Sequence, residues 1–190
     1  LGTSDSAKRG TRGIMIIAGI DAATTSGIGI LQGTKLLCAQ SFKSEGANDA
    51  EIFSNFRSWL TVMLKEYNVE YAAIEAPLPT NRGVFQFKIG NSDAFGQSVQ
   101  KVMRPMSSMA TFLRLYGLRA HAIQLCHELK IEYGEVNVRD WRGAIYGQRN
   151  APKGQKNASV WWKQQAVERC KLLGWEVHQT DACEAALIAD

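Results

Sequence analysis

At 190 residues and 21.0 kDa the chain is the size of one domain, with enough core to fold without disulfide or metal staples. An apolar content of 45% with 21% charged residues excludes wholesale disorder, and the sequence has no apolar run long enough for a membrane-spanning helix. The 22 Lys and Arg against 18 Asp and Glu leave a charge of +4, which permits a nucleic-acid partner without requiring one.

Residues 1–13, LGTSDSAKRGTRG, are polar and aperiodic and read as a disordered arm or expression remnant. This leaves residues 14–190 as a single domain. Residues 14–21 form a continuous apolar run ending in Asp21, the pattern of a strand buried on both faces. Two more short strands, 27–31 and 36–42, flank a Gly33-Thr34 turn, so three antiparallel strands are expected. Residues 49–66 carry Ile52, Phe53, Phe56, Trp59, Leu60, Met63 and Leu64 at helical spacing. A fourth strand, 69–76, again ends in an acid, Glu75, and is stopped by Pro77 and Pro79. Residues 80–104 are the least regular. Pro105 is expected to open a long helix to about residue 130, followed by a short strand at 135–138 and a helical turn or loop at 139–146. The basic segment 148–156 is a loop. Asn157 caps a helix that Gly174 stops, and residues 180–190 form a last, alanine-rich helix. This is an α/β layout. Cys38, Cys126, Cys170 and Cys183 lack paired spacing and read as buried thiols in a reducing cytoplasm.

The chemistry lies in the acids. A carboxylate within an apolar strand costs several kcal/mol unless it is paired or binds metal, and the end of such a strand is where open α/β sheets place their sites. Asp21 and Glu75 both stand there. Asp181 and Glu184 share one face at the start of the last helix. Asp followed three residues later by Glu is also a capping box. The flanking Ala182, Ala185, Ala186 and Ala189 are small enough to let this helix lie close against a sheet and carry the pair toward the strand ends. Four converging carboxylates repel one another and need cations, and oxygen-only ligands suit Mg²⁺ or Mn²⁺ rather than zinc. Two such ions about 4 Å apart would support phosphodiester hydrolysis. His178, three residues before Asp181, is a weaker candidate, since a lone His is more often a surface residue.

The strand Ile-Ile-Ala-Gly-Ile-Asp21, the strand Ala-Ala-Ile-Glu75 and the helix Asp181-Ala-Cys-Glu184-Ala-Ala-Leu together resemble the RuvC-type Holliday-junction resolvases of the RNase H-like nuclease superfamily. The likeness covers residues 14–190, with Glu184 where the family has a second Asp. The resemblance implies a five-stranded mixed sheet of order 3-2-1-4-5 with helices on both faces. It also implies a homodimer that nicks opposed strands of a four-way DNA junction in recombination and repair. Asp21, Glu75, Asp181 and Glu184 carry over as catalytic metal ligands. Lys156 stands in the place of an assisting lysine, and Arg139 or Arg142 in the region of another basic contact. Phe85 and Phe87 are placed for an aromatic wedge. Small proteins of this type occur in bacterial cells and their phages, which makes the cytoplasm the expected compartment.

Two basic segments fit phosphate contact and base stacking. Residues 82–104 hold Arg82, Lys88, Lys101 and Arg104 with Phe85 and Phe87 among them, a charge of +3. Residues 139–156 hold Arg139, Arg142, Arg149, Lys153 and Lys156, a charge of +4. One of Trp161 and Trp162 is expected to pack inward. Three alternatives stand beside the resolvase reading. One is a nuclease of the same fold acting on other branched DNA or RNA–DNA hybrids. Another is a junction-binding protein without activity. The third is suggested by Asp21-Ala-Ala-Thr-Thr-Ser-Gly, which resembles the phosphate turn of actin-like sugar kinases. Those need two such domains, for which 190 residues leave no room.

Overall fold

The computed structural model describes residues 13–76, 83–89, 99–105 and 109–190. A central five-stranded sheet is built from β1 (Ile16–Asp21), β2 (Thr25–Gln32), β3 (Lys35–Lys43), β4 (Tyr71–Ala76) and β7 (Glu132–Asn137), in the order β3-β2-β1-β4-β7. The first three strands pair antiparallel, and β1–β4 and β4–β7 pair parallel. This is the mixed sheet and strand order expected from the sequence. Helices α1 (Asp49–Glu66), α2 (Met109–Leu129), α3 (Val138–Tyr146), α4 (Ala158–Leu172) and α5 (Thr180–Ala189) cover its two faces.

Alternation along the strands divides the core into two layers. Ala18 and Ile20 of β1, Ile28 and Ile30 of β2, and Ala72 and Ile74 of β4 face α1 and α2, where Ile52, Phe56, Leu60, Leu64, Leu118, Ala122 and Leu125 are buried. Burial of each large side chain contributes about 1.5–3 kcal/mol. The opposite face carries Ile17, Leu31 and Ala73, and packs against α3, α4 and α5. Helix starts follow local chemistry. Asn48 accepts from the Glu51 N–H at 3.0 Å, and Asn157 accepts from the Val160 N–H at 3.2 Å. Gly174, at φ +74°, lies just beyond the end of α4.

The second face is unusual in its smallness. Register sets Gly19 of β1 opposite Gly29 of β2, and Asp21 opposite Gly27. A Cβ on Gly19 would stand 2.0 Å from the Ala185 carbonyl oxygen. One on Gly27 would stand 2.1 Å from the Asp181 carbonyl oxygen, and one on Gly29 2.2 Å from the Ala186 Cα. The backbone of α5 therefore rests on the sheet itself, with Ala182, Ala185, Ala186 and Ala189 buried along it.

The structure corrects three expectations. Residues 80–104 contain regular structure: β5 (Gly83–Ile89) and β6 (Val99–Pro105) pair antiparallel as a separate two-stranded sheet. Apolar and polar residues alternate through Phe85-Gln86-Phe87-Lys88-Ile89, a short period-two signal bounded by Gly83 and Gly90, whereas β6 has no such period. Pro105 does not open a helix. It ends β6 opposite Gly83, where its missing N–H costs little, and α2 begins at Met109. The strand expected at 135–138 also starts earlier, at Glu132. Arg82 lies outside the described residues. Phe85, Phe87 and Lys88 fall on β5, with Lys101 and Arg104 on β6. Among the described residues no helix is long and apolar enough to cross a membrane, and the four cysteines are free, with Cys126, Cys170 and Cys183 buried.

Adding one methyl at Gly29 forces α5 off the sheet, because the obstructing atom is backbone and cannot rotate away. Gly29→Ala is expected to cost about 1–3 kcal/mol, or roughly 3–10 °C in Tm for a chain of this size, read by thermal denaturation.

Candidate active site

Parallel pairing of β1 with β4 brings their carboxyl ends to one edge of the sheet. The register pairs Ile20 with Ile74, so Asp21 and Glu75 follow side by side on the face that α5 covers. The seat of α5 on Gly27 brings Asp181 to the same place, and Glu184 follows one turn later. Carboxylate oxygens of Asp21, Asp181 and Glu184 all lie within 4.8 Å of one another. Glu184 is 7% exposed, while Asp21 and Asp181 are partly open.

The capping reading of Asp181 and Glu184 does not hold. The N-cap of α5 is Gln179, whose side chain caps nothing in its own helix. Its Oε1 instead accepts from the Ser41 backbone N–H at 2.8 Å, and the Ser41 hydroxyl accepts from the Ala182 N–H at 3.0 Å. Ser41 on β3 thus supplies the cap from a distant part of the chain, leaving both carboxylates free for other partners.

Those partners are basic and aromatic. The Lys163 Nζ of α4 donates to Asp181 Oδ1 at 2.7 Å. The Arg142 Nη2 of α3 donates to Glu184 Oε1 at 3.0 Å. The Trp141 Nε1 donates to Glu75 Oε2 at 2.9 Å, so Glu75 borders the three-carboxylate group and is held by the indole. Burial raises the Asp21 carboxyl well above its ordinary value, and the charges of Glu75, Glu184 and Asp181 push it in the same direction. Burial also lifts Glu75 to about 7, opposed by the Trp141 hydrogen bond, and raises Glu184 against the pull of Arg142 and Lys163. The hydrogen bond to Asp181 raises the Lys163 ammonium.

Four carboxylates facing two cations leave negative charge unbalanced in a partly dry site. An all-oxygen donor set with that imbalance fits a divalent ion such as Mg²⁺ or Mn²⁺. The other expected residues are distributed differently. Lys156 is exposed in the loop before α4, and it is Lys163, two helical turns further on, that reaches the acids. A signal for it existed: Lys163 stands three residues before Ala166 and seven before Cys170, both buried on α4, so it is a lysine at the edge of an apolar stripe. Arg142, expected as a DNA contact, points into the site. Arg139 and Arg149 are exposed, with Arg139 donating to Asn150 at 3.3 Å and Arg149 lying 3.8 Å from Asp140. Lys153 is exposed in the same loop, and His178 is exposed. Trp162 is the inward tryptophan, while Trp161 is half-buried and meets it edge-on. The clasp by Ser41 had no sequence signal.

No protein-family model matches the chain, and comparison with curated proteins yields no match. Solved structures do match. RuvC of T. thermophilus, in complex with a Holliday junction substrate, superposes at TM-score 0.63 and 14% identity over 92% of this chain and 90% of that one. A second Thermus thermophilus RuvC structure gives TM-score 0.60 and 16% identity over 92% and 91%. The chain has the RuvC fold. At this identity the RuvC likeness concerns architecture, an RNase H-like sheet with its helices. The yeast mitochondrial Holliday junction resolvase Ydc2, at TM-score 0.48, 12% identity and 93% and 76% coverage, is too loosely similar to add to it.

The raised Glu75 value has a measurable consequence in metal-free protein. A carboxyl whose folded value is near 7 against an ordinary 4.5 is neutral in the fold when the unfolded chain has already ionised. Its favourable contribution is complete below pH 4.5 and lost as pH rises to about 7, on the order of 3 kcal/mol. Chelator-treated wild type is therefore expected to lose more stability than Glu75→Gln between these pH values in denaturant titrations, and Mg²⁺ should restore it above pH 7.

Proposed function

We propose that the chain is a metal-dependent, structure-selective DNA endonuclease that resolves four-way junctions by paired nicks and works as a homodimer. The observation that carries this reading is the meeting of Asp21, Asp181 and Glu184 within 4.8 Å at the strand ends of a sheet with the RuvC fold. A neighbour with that fold is in complex with a Holliday junction substrate, which favours branched DNA over other polynucleotides.

Asp21, Asp181 and Glu184, with Glu75 beside them, would hold Mg²⁺ or Mn²⁺. Such an ion activates water and stabilises the charge that develops on the phosphate. The site's own residues orient that chemistry. Ser41 and Gln179 fix the start of α5 and so the directions of Asp181 and Glu184. Trp141 keeps Glu75 turned toward the sheet end, and Lys163 neutralises Asp181 until a stronger cation arrives. The exposed Arg139, Arg149, Lys153 and Lys156 form a basic rim along α3 and the following loop, placed to take DNA phosphates. Lys156 would act there as a phosphate contact rather than at the acids. Phe85, Phe87, Lys88, Lys101 and Arg104 of the β5–β6 hairpin, with Arg82 before it, are proposed to engage the junction.

Purified protein incubated with labelled four-way junction, duplex, flap and RNA–DNA hybrid is expected to nick the junction symmetrically in Mg²⁺ or Mn²⁺. Chelator should stop it, and Asp21→Asn should lower the rate at least about 100-fold. Junction binding without cleavage in either metal would mean a binding protein, and preference for hybrid or flap would mean a different nuclease. Replacing Arg149, Lys153 and Lys156 together by Ala should weaken junction binding and lower the slope of log affinity against log salt by about 2–3, since each lost phosphate contact removes about 0.9.

A further inference from the structure

Arg142 differs from every other basic residue of the two segments described above. Its guanidinium carbon lies 4.7 Å from the Trp162 ring centroid and 5.2 Å from that of Trp141. Tyr146 adjoins both rings and completes an aromatic enclosure. The Arg142 side chain is 19% exposed, and its buried Nε has no hydrogen-bond partner. Aromatic faces, rather than a ring of acceptors, therefore hold the guanidinium. Such faces attract a cation and fix the plane of a flat one. A guanidinium also keeps its proton at any ordinary pH, so it remains a donor.

The atom that this enclosure aims is Nη2, which donates to Glu184 Oε1 at 3.0 Å. It is the one side-chain hydrogen bond of Glu184 among the described residues. Of Asp21, Asp181 and Glu184, only the glutamate has a third side-chain torsion, and a broad one, so its carboxylate has the widest choice of position. Arg142 engages Oε1 and leaves Oε2 to a cation, at a place where oxygens of the three acids already lie within 4.8 Å of one another.

We infer that Arg142, held between Trp162 and Trp141, is a positioning residue that sets the Glu184 carboxylate for metal, so that Trp162, which bonds to none of the acids, governs how tightly the site takes a divalent ion. This rests on the metal-nuclease reading above. Charge alone would act in the opposite sense, because a fixed cation beside the acids repels an incoming ion. The contribution of Arg142 is therefore one of direction, and variants that conserve charge reveal it.

Mn²⁺ titrations followed by electron paramagnetic resonance test this without any cleavage assay, with site-bound Mn²⁺ defined as that lost on Asp21→Asn. Arg142→Lys keeps the charge but has no planar fork to stack. It is expected to weaken site-bound Mn²⁺ about 10-fold or more, the usual effect of losing the partner that orients a metal ligand. Trp162→Leu leaves every charge of the site in place and should also weaken binding. The double variant should bind no more weakly than Arg142→Lys alone, because both changes disable one device. Wild-type affinity in either folded single variant would overturn the inference and leave the nuclease reading standing. Losses that simply add in the double variant would do the same, since Trp162 would then act apart from Arg142. Absence of site-bound Mn²⁺ in the wild type would overturn both. If one variant fails to fold by circular dichroism, the other decides, with Trp162→Phe as a milder third that keeps a ring of weaker attraction for the cation.

Discussion

The direct contact between the backbone of α5 and the bare backbone of β1 and β2 governs the rest of the molecule. Helices normally sit on sheets across a layer of side chains. Here Gly19, Gly27 and Gly29 remove that layer from the sheet, and Ala182, Ala185, Ala186 and Ala189 remove it from the helix. Asp181 and Glu184 are too short to reach Asp21 from an ordinary helix–sheet distance. The glycines thus serve the chemistry as much as the packing, and the clasp of Ser41 on Ala182 fixes where along the sheet the helix starts.

The close seat creates an electrostatic problem that the neighbouring helices moderate. Burial raises the proton affinity of Asp21, Glu75 and Glu184, and the neighbouring carboxylates, three of which lie within 4.8 Å of one another, add to it. Helices α3 and α4 each contribute a cation, Arg142 and Lys163, and α3 adds the Trp141 indole as a neutral donor. The aromatic residues of this layer do two jobs. They fill the core beside α5, and they enclose a guanidinium that would otherwise be poorly solvated. The other face of the sheet, packed by α1 and α2 with large aliphatic and aromatic side chains, holds the strand ends in register without taking part in the site.

The small net charge of the chain also acquires a meaning. Its acidic centre lies at the strand ends of the sheet, and α3, which supplies Arg142 to that centre, leads into the exposed Arg149, Lys153 and Lys156. A polyanion drawn to that rim is brought toward carboxylates that repel it unless cations intervene. On the proposed reading, this would couple nucleic-acid approach to metal occupancy.

Much of this was legible in the sequence, for a definite reason. Strand and helix periods are local, so β1, β4, α1, α4 and α5 could be read where they stand. An acid at the end of an apolar strand is conspicuous because burial makes it costly, and that singled out Asp21 and Glu75. The strand order followed from the resemblance of motifs in order. The β5–β6 hairpin is hard to read in the sequence because only β5 alternates, over five residues, while β6 does not, and Pro105 is ambiguous because proline suits a helix start and a strand end alike. Which base meets which acid is not a local property. Lys163 stands at the edge of the apolar stripe of α4 and Lys156 does not, but only the packing of α4 on α5 brings that edge to Asp181. Arg142 reads as one more residue of a basic segment until Trp141, Trp162 and Glu184, 42 positions away, close around it. Residue types and periods determine which elements form and which acids are available. The distances among those acids, and the cations that answer them, depend on how closely two backbones approach, which only the tertiary structure decides.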